Sequence, residues 1–270
     1  MSQQTVNING LDIMIEYPTN TSSVSIQTIL EEPKVIKFFT TINPKIIRVD
    51  KVTLLTHFMF GKNVGFLCMN LDAYFVKNNA KIPGFVFIRG DAATCLILIK
   101  QRNTNFFSRL YEEYFGITNY YFLKVVQPRT PSGDLCEEAC AGMIDRELTK
   151  ISGVMAKEIL EETGIKIETT GVKTNDPRYQ FNYLEKLGEF CPSIGACDEK
   201  IHTFWYMTEM STQEITNLNG RLITNTENNT TESITVQLEP FTINNICKTL
   251  DSKLICTTLQ LLEHYPHSFV

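Results

Sequence analysis

Residues 141–165 read AGMIDRELTKISGVMAKEILEETGI, and the fold of the chain turns on this stretch. Glu158, Glu161 and Glu162 stand at i, i+3 and i+4, spacings that share one face of a helix. Ile151, Val154, Met155, Ile159 and Leu160 recur at roughly helical spacing, so the same helix has an apolar side to bury. Thr163-Gly164 is a stop signal, and Ile165-Lys166-Ile167 reads as a strand beyond it. Three like charges on one face repel. A divalent cation turns that repulsion into attraction, and Mg²⁺ takes hard carboxylate oxygens together with the oxygens of a phosphate substrate. A solvated acidic face is the competing reading. The order of loop, acidic helix, glycine and strand favours the metal.

The whole chain sets the limits. Its 270 residues can bury a full core, as one large domain or as a domain with an extension. A net charge of −5 offers no global basic field for nucleic acid, and 43% hydrophobic residues argue for a folded protein. The eight cysteines contain no C-x-x-C pair, and the four histidines do not join them at zinc spacing, so zinc is not expected. Several cysteines lie in apolar runs, as reduced core residues do, which fits a reducing, cytoplasmic setting. The first residues lack a basic segment followed by an apolar one, and no run approaches the ~20 apolar residues of a membrane span.

Along the chain, residues 52–60 and 64–69 read as strands joined by Gly61-Lys62-Asn63. Pro83-Gly84 marks the start of a new unit. Residues 85–89 and 95–100 then form a hairpin-like pair around Gly90-Asp91-Ala92. Residues 105–115 suggest an amphipathic helix, 120–126 a strand and 128–133 a loop. Residues 187–190, 202–207 and 234–238 read as strands, 216–231 as an Asn/Thr-rich mobile loop, and 241–250 and 253–264 as helices. Phe204 and Trp205 alternate on a strand and read as core. Strands, one central helix, more strands and terminal helices predict an α/β (α+β) protein with a mixed sheet.

Residues 157–165, KEILEETGI, resemble the core of the Nudix box, G-x5-E-x7-R-E-U-x-E-E-x-G-U with U aliphatic. Glu158, Ile159, Glu161, Glu162, Gly164 and Ile165 match it. Lys157 replaces the arginine, whose planar fork a lysine cannot copy. The first glycine is Gly142, one residue further upstream than the standard spacing. Thr149 stands where the first glutamate falls by strict counting, with Glu147 nearby. The long loop, the lysine and the preceding Cys140-Ala141-Gly142 resemble the UDP-sugar pyrophosphatase branch.

That resemblance implies a Nudix α/β/α sandwich over residues 83–270. Residues 1–82 would be a β-rich extension used for homodimerisation. It implies Mg²⁺, or Mn²⁺ in its place, held by Glu158, Glu161, Glu162 and the Ala141 carbonyl, with Lys157 keeping the glutamates in register. It implies a nucleoside diphosphate sugar as partner, UDP-glucose first and ADP-ribose second, with no nucleic acid and no membrane. Ser193, Gly195 and Glu199 match the family's S-x-G-x-x-x-E segment, which puts Glu199 at the substrate. Glu138 matches a substrate-facing glutamate three residues before Ala141, although an ordinary edge glutamate fits as well. Gln101-Arg102 is sought as the family's Q-x-R, with Arg102 as a phosphate cation displaced by one residue. The catalytic base falls on Glu232, with Glu227 its competitor, on a loop that approaches when substrate binds. A non-catalytic Nudix-fold binding protein is the alternative, motivated by the missing arginine and first glutamate.

Overall fold

The computed structural model describes residues 2–8, 11–17, 24–102, 120–144, 151–167, 171–227, 230–266 and 268–269. The chain is a mixed α/β protein with two mixed sheets and, among the described residues, six α-helices. It divides into two compact units. The first holds Met1–Asp91 and Cys191–Lys200, the second Ala92–Phe190 and Ile201–Val270. Among the described residues no helix is long and apolar enough to cross a membrane.

The first unit contains β1 (Ser2–Ile8), β2 (Leu11–Tyr17), α1 (Ile26–Leu30), α2 (Pro33–Thr41), β3 (Ile47–Phe60), β4 (Asn63–Phe75), β5 (Ala80–Ile82) and β6 (Phe85–Ile88). Its sheet runs β1-β2-β3-β4-β5, with β6 also on β4. The hairpin expected at Gly61 forms: φ is +59° there, and Phe60 faces Asn63 across the β3–β4 turn. Pro83-Gly84, where the sequence suggests a boundary, lies inside this sheet. The Leu71 N–H donates to the Gly84 carbonyl at 2.8 Å. A β-carbon on Gly84 would stand 1.8 Å from the Leu71 oxygen. Only glycine lets the chain pass that close, so it continues along β4 from β5 into β6. Consequently residues 85–88 pair with β4 and not with residues 95–100. The turn at Gly90 is no hairpin, and the Arg89 and Gly90 N–H groups are held by the Asp198 carboxylate at 2.7 and 3.2 Å.

The second unit contains β7 (Ala92–Gln101), β8 (Tyr120–Arg129), β9 (Asp134–Glu138), β10 (Cys140–Met143), α3 (Ile151–Thr163), β11 (Glu185–Phe190), β12 (Ile201–Met210), α4 (Thr212–Leu218), β13 (Leu222–Glu227), β14 (Thr230–Pro240), α5 (Ile243–Lys248) and α6 (Ser252–His264). Its sheet runs β11-β12-β7-β8-β14-β13, with β10 added to β7 and β9 to β8. The β12–β7 contact is parallel and the others are antiparallel. Central β7 is covered on both faces, and its alternation sorts its side chains. Ala93, Cys95, Ile97 and Ile99 pack in one core with Met155 and Ile159 of α3 and Leu218 of α4. Leu96 and Leu98 pack in the other with Trp205, Ile246 of α5, and Leu254 and Leu261 of α6. Helix layers therefore flank one sheet.

Three local expectations change. Residues 216–231 are no loop: α4 and the β13–β14 hairpin occupy most of them. A capping box starts α4, with Glu214 N–H on Ser211 Oγ at 3.3 Å and Ser211 N–H on Glu214 Oε2 at 2.7 Å. Residues 165–167 form no strand, because Ile165 turns into the α3 core. The helix expected at 105–115 lies outside the described residues.

Trp205 is fully buried, as its core assignment requires, and its indole needs an acceptor. Glu185 supplies one. Its Oε2 accepts from Trp205 Nε1 at 2.9 Å, Tyr265 OH at 2.8 Å and Gln180 Nε2 at 2.7 Å, and Lys173 pairs with Oε1. Burial would raise this carboxyl, but those four donors outweigh it and hold the group at about 2. A folded value below the unfolded one gives stability that is complete above the ordinary 4.5 and is lost as pH falls from there toward 2. Thermal melts from pH 7 to pH 3 should therefore fall less steeply in Glu185→Gln than in wild type. The variant should also lose about 1–3 kcal/mol at neutral pH. Parallel curves would assign the acid sensitivity elsewhere.

Candidate active site

Helix α3 forms where its periodicity places it. Met155 and Ile159 are fully buried, and the Gly164 N–H closes the last turn on the Leu160 carbonyl at 2.9 Å. Gly164 has φ +71°, the left-handed stop that glycine adopts without strain. With the apolar stripe against β7, the adjoining flank of the helix, which carries Glu158 and Glu162, meets β10. That strand is fixed by antiparallel pairing of Cys140, Ala141 and Gly142 with Cys95, Thr94 and Ala93.

Two glutamates converge on β10. The Glu162 Oε2 accepts the Ala141 N–H at 3.2 Å, and the buried Cys140 thiol bonds the same carboxylate. Glu158 lies against Gly142 so closely that a β-carbon there would stand 2.2 Å from its Cδ. Burial pushes the Glu162 carboxyl up to about 7. The Cys140 and Ala141 hydrogen bonds oppose the rise, and the nearby Glu158 charge adds to it.

Glu161 is directed differently. It pairs with Lys157 at 3.4 Å along the helix and is far more exposed than Glu162. Lys157 is therefore a partner of Glu161, and the register of Glu158 and Glu162 is set by β10. Ala141 meets Glu162 through its N–H, on the strand edge that also carries its carbonyl.

A second cluster runs along the β8–β9 hairpin, from Arg129 at its turn back to Glu138. Arg129 forks onto Glu138, with Nε on Oε1 at 2.5 Å and Nη2 on Oε2 at 3.1 Å. Lys253 adds a bond to Glu138 Oε2 at 3.1 Å. Burial would raise the Glu138 carboxyl, but Arg129 and Lys253 together hold it below the usual carboxylate range. Arg129 also feels the charges of Glu162 and Glu232. Glu232 stands exposed on β14 opposite Asn225, a strand position in place of the mobile loop expected for it. The β14–β8 ladder starts at Thr235 and Val126, three residues from Glu232 on β14 and from Arg129 on β8. The side chain of Glu227, and Glu147 and Thr149, lie outside the described residues.

One expected site residue lies elsewhere in the second unit. Arg102 follows the far end of β7, where its N–H donates to the Met210 carbonyl at 2.7 Å. Thr94, the partner of Ala141, is eight residues away, roughly 26 Å along an extended strand. Glu199 belongs to the first unit and pairs there with Arg89 at 3.3 Å. The cation that does join the glutamates, Arg129, was missed. Its signal in the sequence is Gln127-Pro128-Arg129, an undisplaced Q-x-R at the end of a strand, one strand later than Gln101-Arg102.

The arrangement fits a divalent cation through two carboxylates. Among the described residues, no group of three or more His, Cys, Asp or Glu side chains is arranged to hold a metal. Yet Glu158 and Glu162 bring two negative charges together at a buried edge, and oxygen donors of that kind suit Mg²⁺ or Mn²⁺.

No family model matches the chain. It is 30% identical over 167 residues to Nudix hydrolase 14, chloroplastic, of Arabidopsis thaliana, covering 60% of this chain and 47% of that protein. The chain thus spans about half the length of this curated relative.

Because the atoms that Gly142→Ala would strike are the mobile end of Glu158, the variant should fold and displace that carboxylate. Mn²⁺ affinity, read by electron paramagnetic resonance, should fall about 10–100-fold. Unchanged affinity would remove Glu158 from the site.

Proposed function

We propose that this protein is a Nudix-type pyrophosphatase that hydrolyses a nucleoside diphosphate sugar with Mg²⁺. The observation that carries this reading is the convergence of Glu158 and Glu162 on Cys140–Gly142, with Arg129 in electrostatic reach. The hydrolase similarity over 167 residues supports it. UDP-glucose is the favoured substrate, through the likeness of Cys140-Ala141-Gly142 and the long following loop to the UDP-sugar branch. ADP-ribose is second.

Glu158 and Glu162 would hold the cation, with Glu161 at their edge. When bound, a divalent cation supplies positive charge to the diphosphate and makes water a better nucleophile at neutral pH. Arg129, aimed by Glu138, would grip a phosphate oxygen. Glu232 would take a proton from the attacking water. A new P–O bond forms from that water as the bridging P–O bond breaks, and the bridging oxygen leaves with one phosphate. The products are a nucleoside monophosphate and a sugar 1-phosphate. Most of the rate enhancement in such a site comes from fixed charge at the diphosphate.

One observation favours a second reading, a binding protein without turnover: Glu161 is drawn along the helix to Lys157, leaving two convergent carboxylates. Side-by-side assays of UDP-glucose and ADP-ribose, with Mg²⁺ and with EDTA, separate the readings. Mg²⁺-dependent UMP and glucose 1-phosphate are expected. AMP with ribose 5-phosphate would move the substrate within the class. No cleavage of either by folded protein would favour the binding protein.

In the active protein Glu162→Gln should remove turnover steeply, and Glu161→Gln should cost much less. Glu232→Gln should cost about 10²–10⁴-fold if it is the base. Near-wild-type activity in Glu232→Gln would assign that role to another residue.

A further inference from the structure

Helix α6 reaches the candidate site through its first turn. Asp251 caps the helix, its Oδ1 accepting the Lys253 N–H at 3.1 Å. The same oxygen pairs with Lys253 Nζ at 3.0 Å, and Oδ2 accepts the Ala139 N–H at 2.7 Å. Lys253 Nζ then bonds Glu138 Oε2, and Glu138 forks onto Arg129. Four charges of alternating sign thus run in series: Asp251, Lys253, Glu138 and Arg129.

Exposure changes along the series. The side chains of Asp251, Lys253 and Glu138 are 7%, 17% and 14% exposed, and Arg129 is 44% exposed. The outermost member faces solvent far more than the other three. The inner three have few other positions to adopt, because Asp251 is fixed by main-chain groups on both oxygens and Lys253 is fixed by Asp251. Ala139 follows Glu138 directly, so α6 clamps this point of the chain through a side chain and through the main chain at once. A buried cation in such a place adds little net stability, because its desolvation offsets its attraction to its partners. What it does add is a single orientation for Glu138, and so for the Arg129 guanidinium.

We infer that Lys253, held by Asp251 at the start of α6, is a positioning residue that fixes Arg129 through Glu138 for a diphosphate group. This rests on the reading of Arg129 as the diphosphate cation. Preorganised donors bind a phosphate without the loss of side-chain freedom that a mobile arginine suffers. Lys253 needs no contact with the ligand for this.

The test is the affinity for inorganic pyrophosphate with Mg²⁺ present, measured by calorimetry on the full chain and its variants. Arg129→Ala and Lys253→Met should each weaken binding about tenfold, and Lys253→Arg should recover most of the loss. In the Arg129→Ala background, Lys253→Met should change affinity less than about twofold, because the two residues act in one series. Asp251→Asn gives a second route to the same loss, and thermal melts check that each variant is folded. Wild-type affinity in Lys253→Met, or an equal loss with and without Arg129, would overturn the inference, as would wild-type protein that does not bind pyrophosphate. Binding that follows the predicted pattern in a protein that cleaves no nucleoside diphosphate compound would overturn the proposed hydrolysis and leave the positioning role standing.

Discussion

The burial of the Glu162 carboxylate against the main chain of Cys140 and Ala141 is the constraint on which the site depends. A carboxylate taken out of water needs donors or a cation, and otherwise it takes up a proton. Here the Ala141 N–H and the Cys140 thiol supply two donors, while Glu158 adds a second negative charge. For this to occur, β10 must pair with β7 and α3 must lie across it. Gly142 must have no side chain, and Gly164 must end the helix two residues beyond Glu162. Each is a requirement on a particular residue. Together they bring the Glu158 and Glu162 carboxylates to one edge of the sheet, at Cys140–Gly142.

The positive side of the site is built by different means. Arg129 is carried on the end of β8 and is more exposed than the groups behind it, so its direction must come from its partners. Glu138 fixes two of its nitrogens, and α6 fixes Glu138. One helix layer therefore supplies the carboxylates and the other steadies the cation. The shared sheet holds the two at a common edge. A sandwich with helices on both faces suits this division, because each layer can present one sign of charge without neutralising the other.

Much of this was legible in the sequence wherever local pattern decides structure. The α3 periodicity, its glycine stop, the turn at Gly61 and the burial of Trp205 follow from local pattern and apolar burial. Partner choice was not legible. Residues 85–88 form a strand as expected but pair with β4, since Gly84 admits a close backbone approach that turn chemistry does not announce. The glutamate triplet shows a finer limit. At 3.6 residues per turn, Glu162 lies roughly 40° to one side of Glu158 and Glu161 roughly 60° to the other. Spacing puts all three on one face, but only the side facing β10 is buried, and Glu161 is left for Lys157. Arg102 and Arg129 each follow a strand with a glutamine nearby. Only the strand pairing, which puts β8 beside β9 and β14, shows which end of the sheet each one joins.

The central claim is that Glu158 and Glu162 form a divalent cation site. The most direct test is the melting temperature of the protein with rising Mg²⁺, compared with that of a Glu158→Gln/Glu162→Gln double variant. A ligand that binds only the folded state raises its stability in proportion to the logarithm of concentration above the dissociation constant. The account predicts such a rise in wild type and its loss in the double variant, which should itself melt no lower without metal because a like-charge pair has been removed. An equal rise in the two proteins, or none in wild type, would contradict the claim.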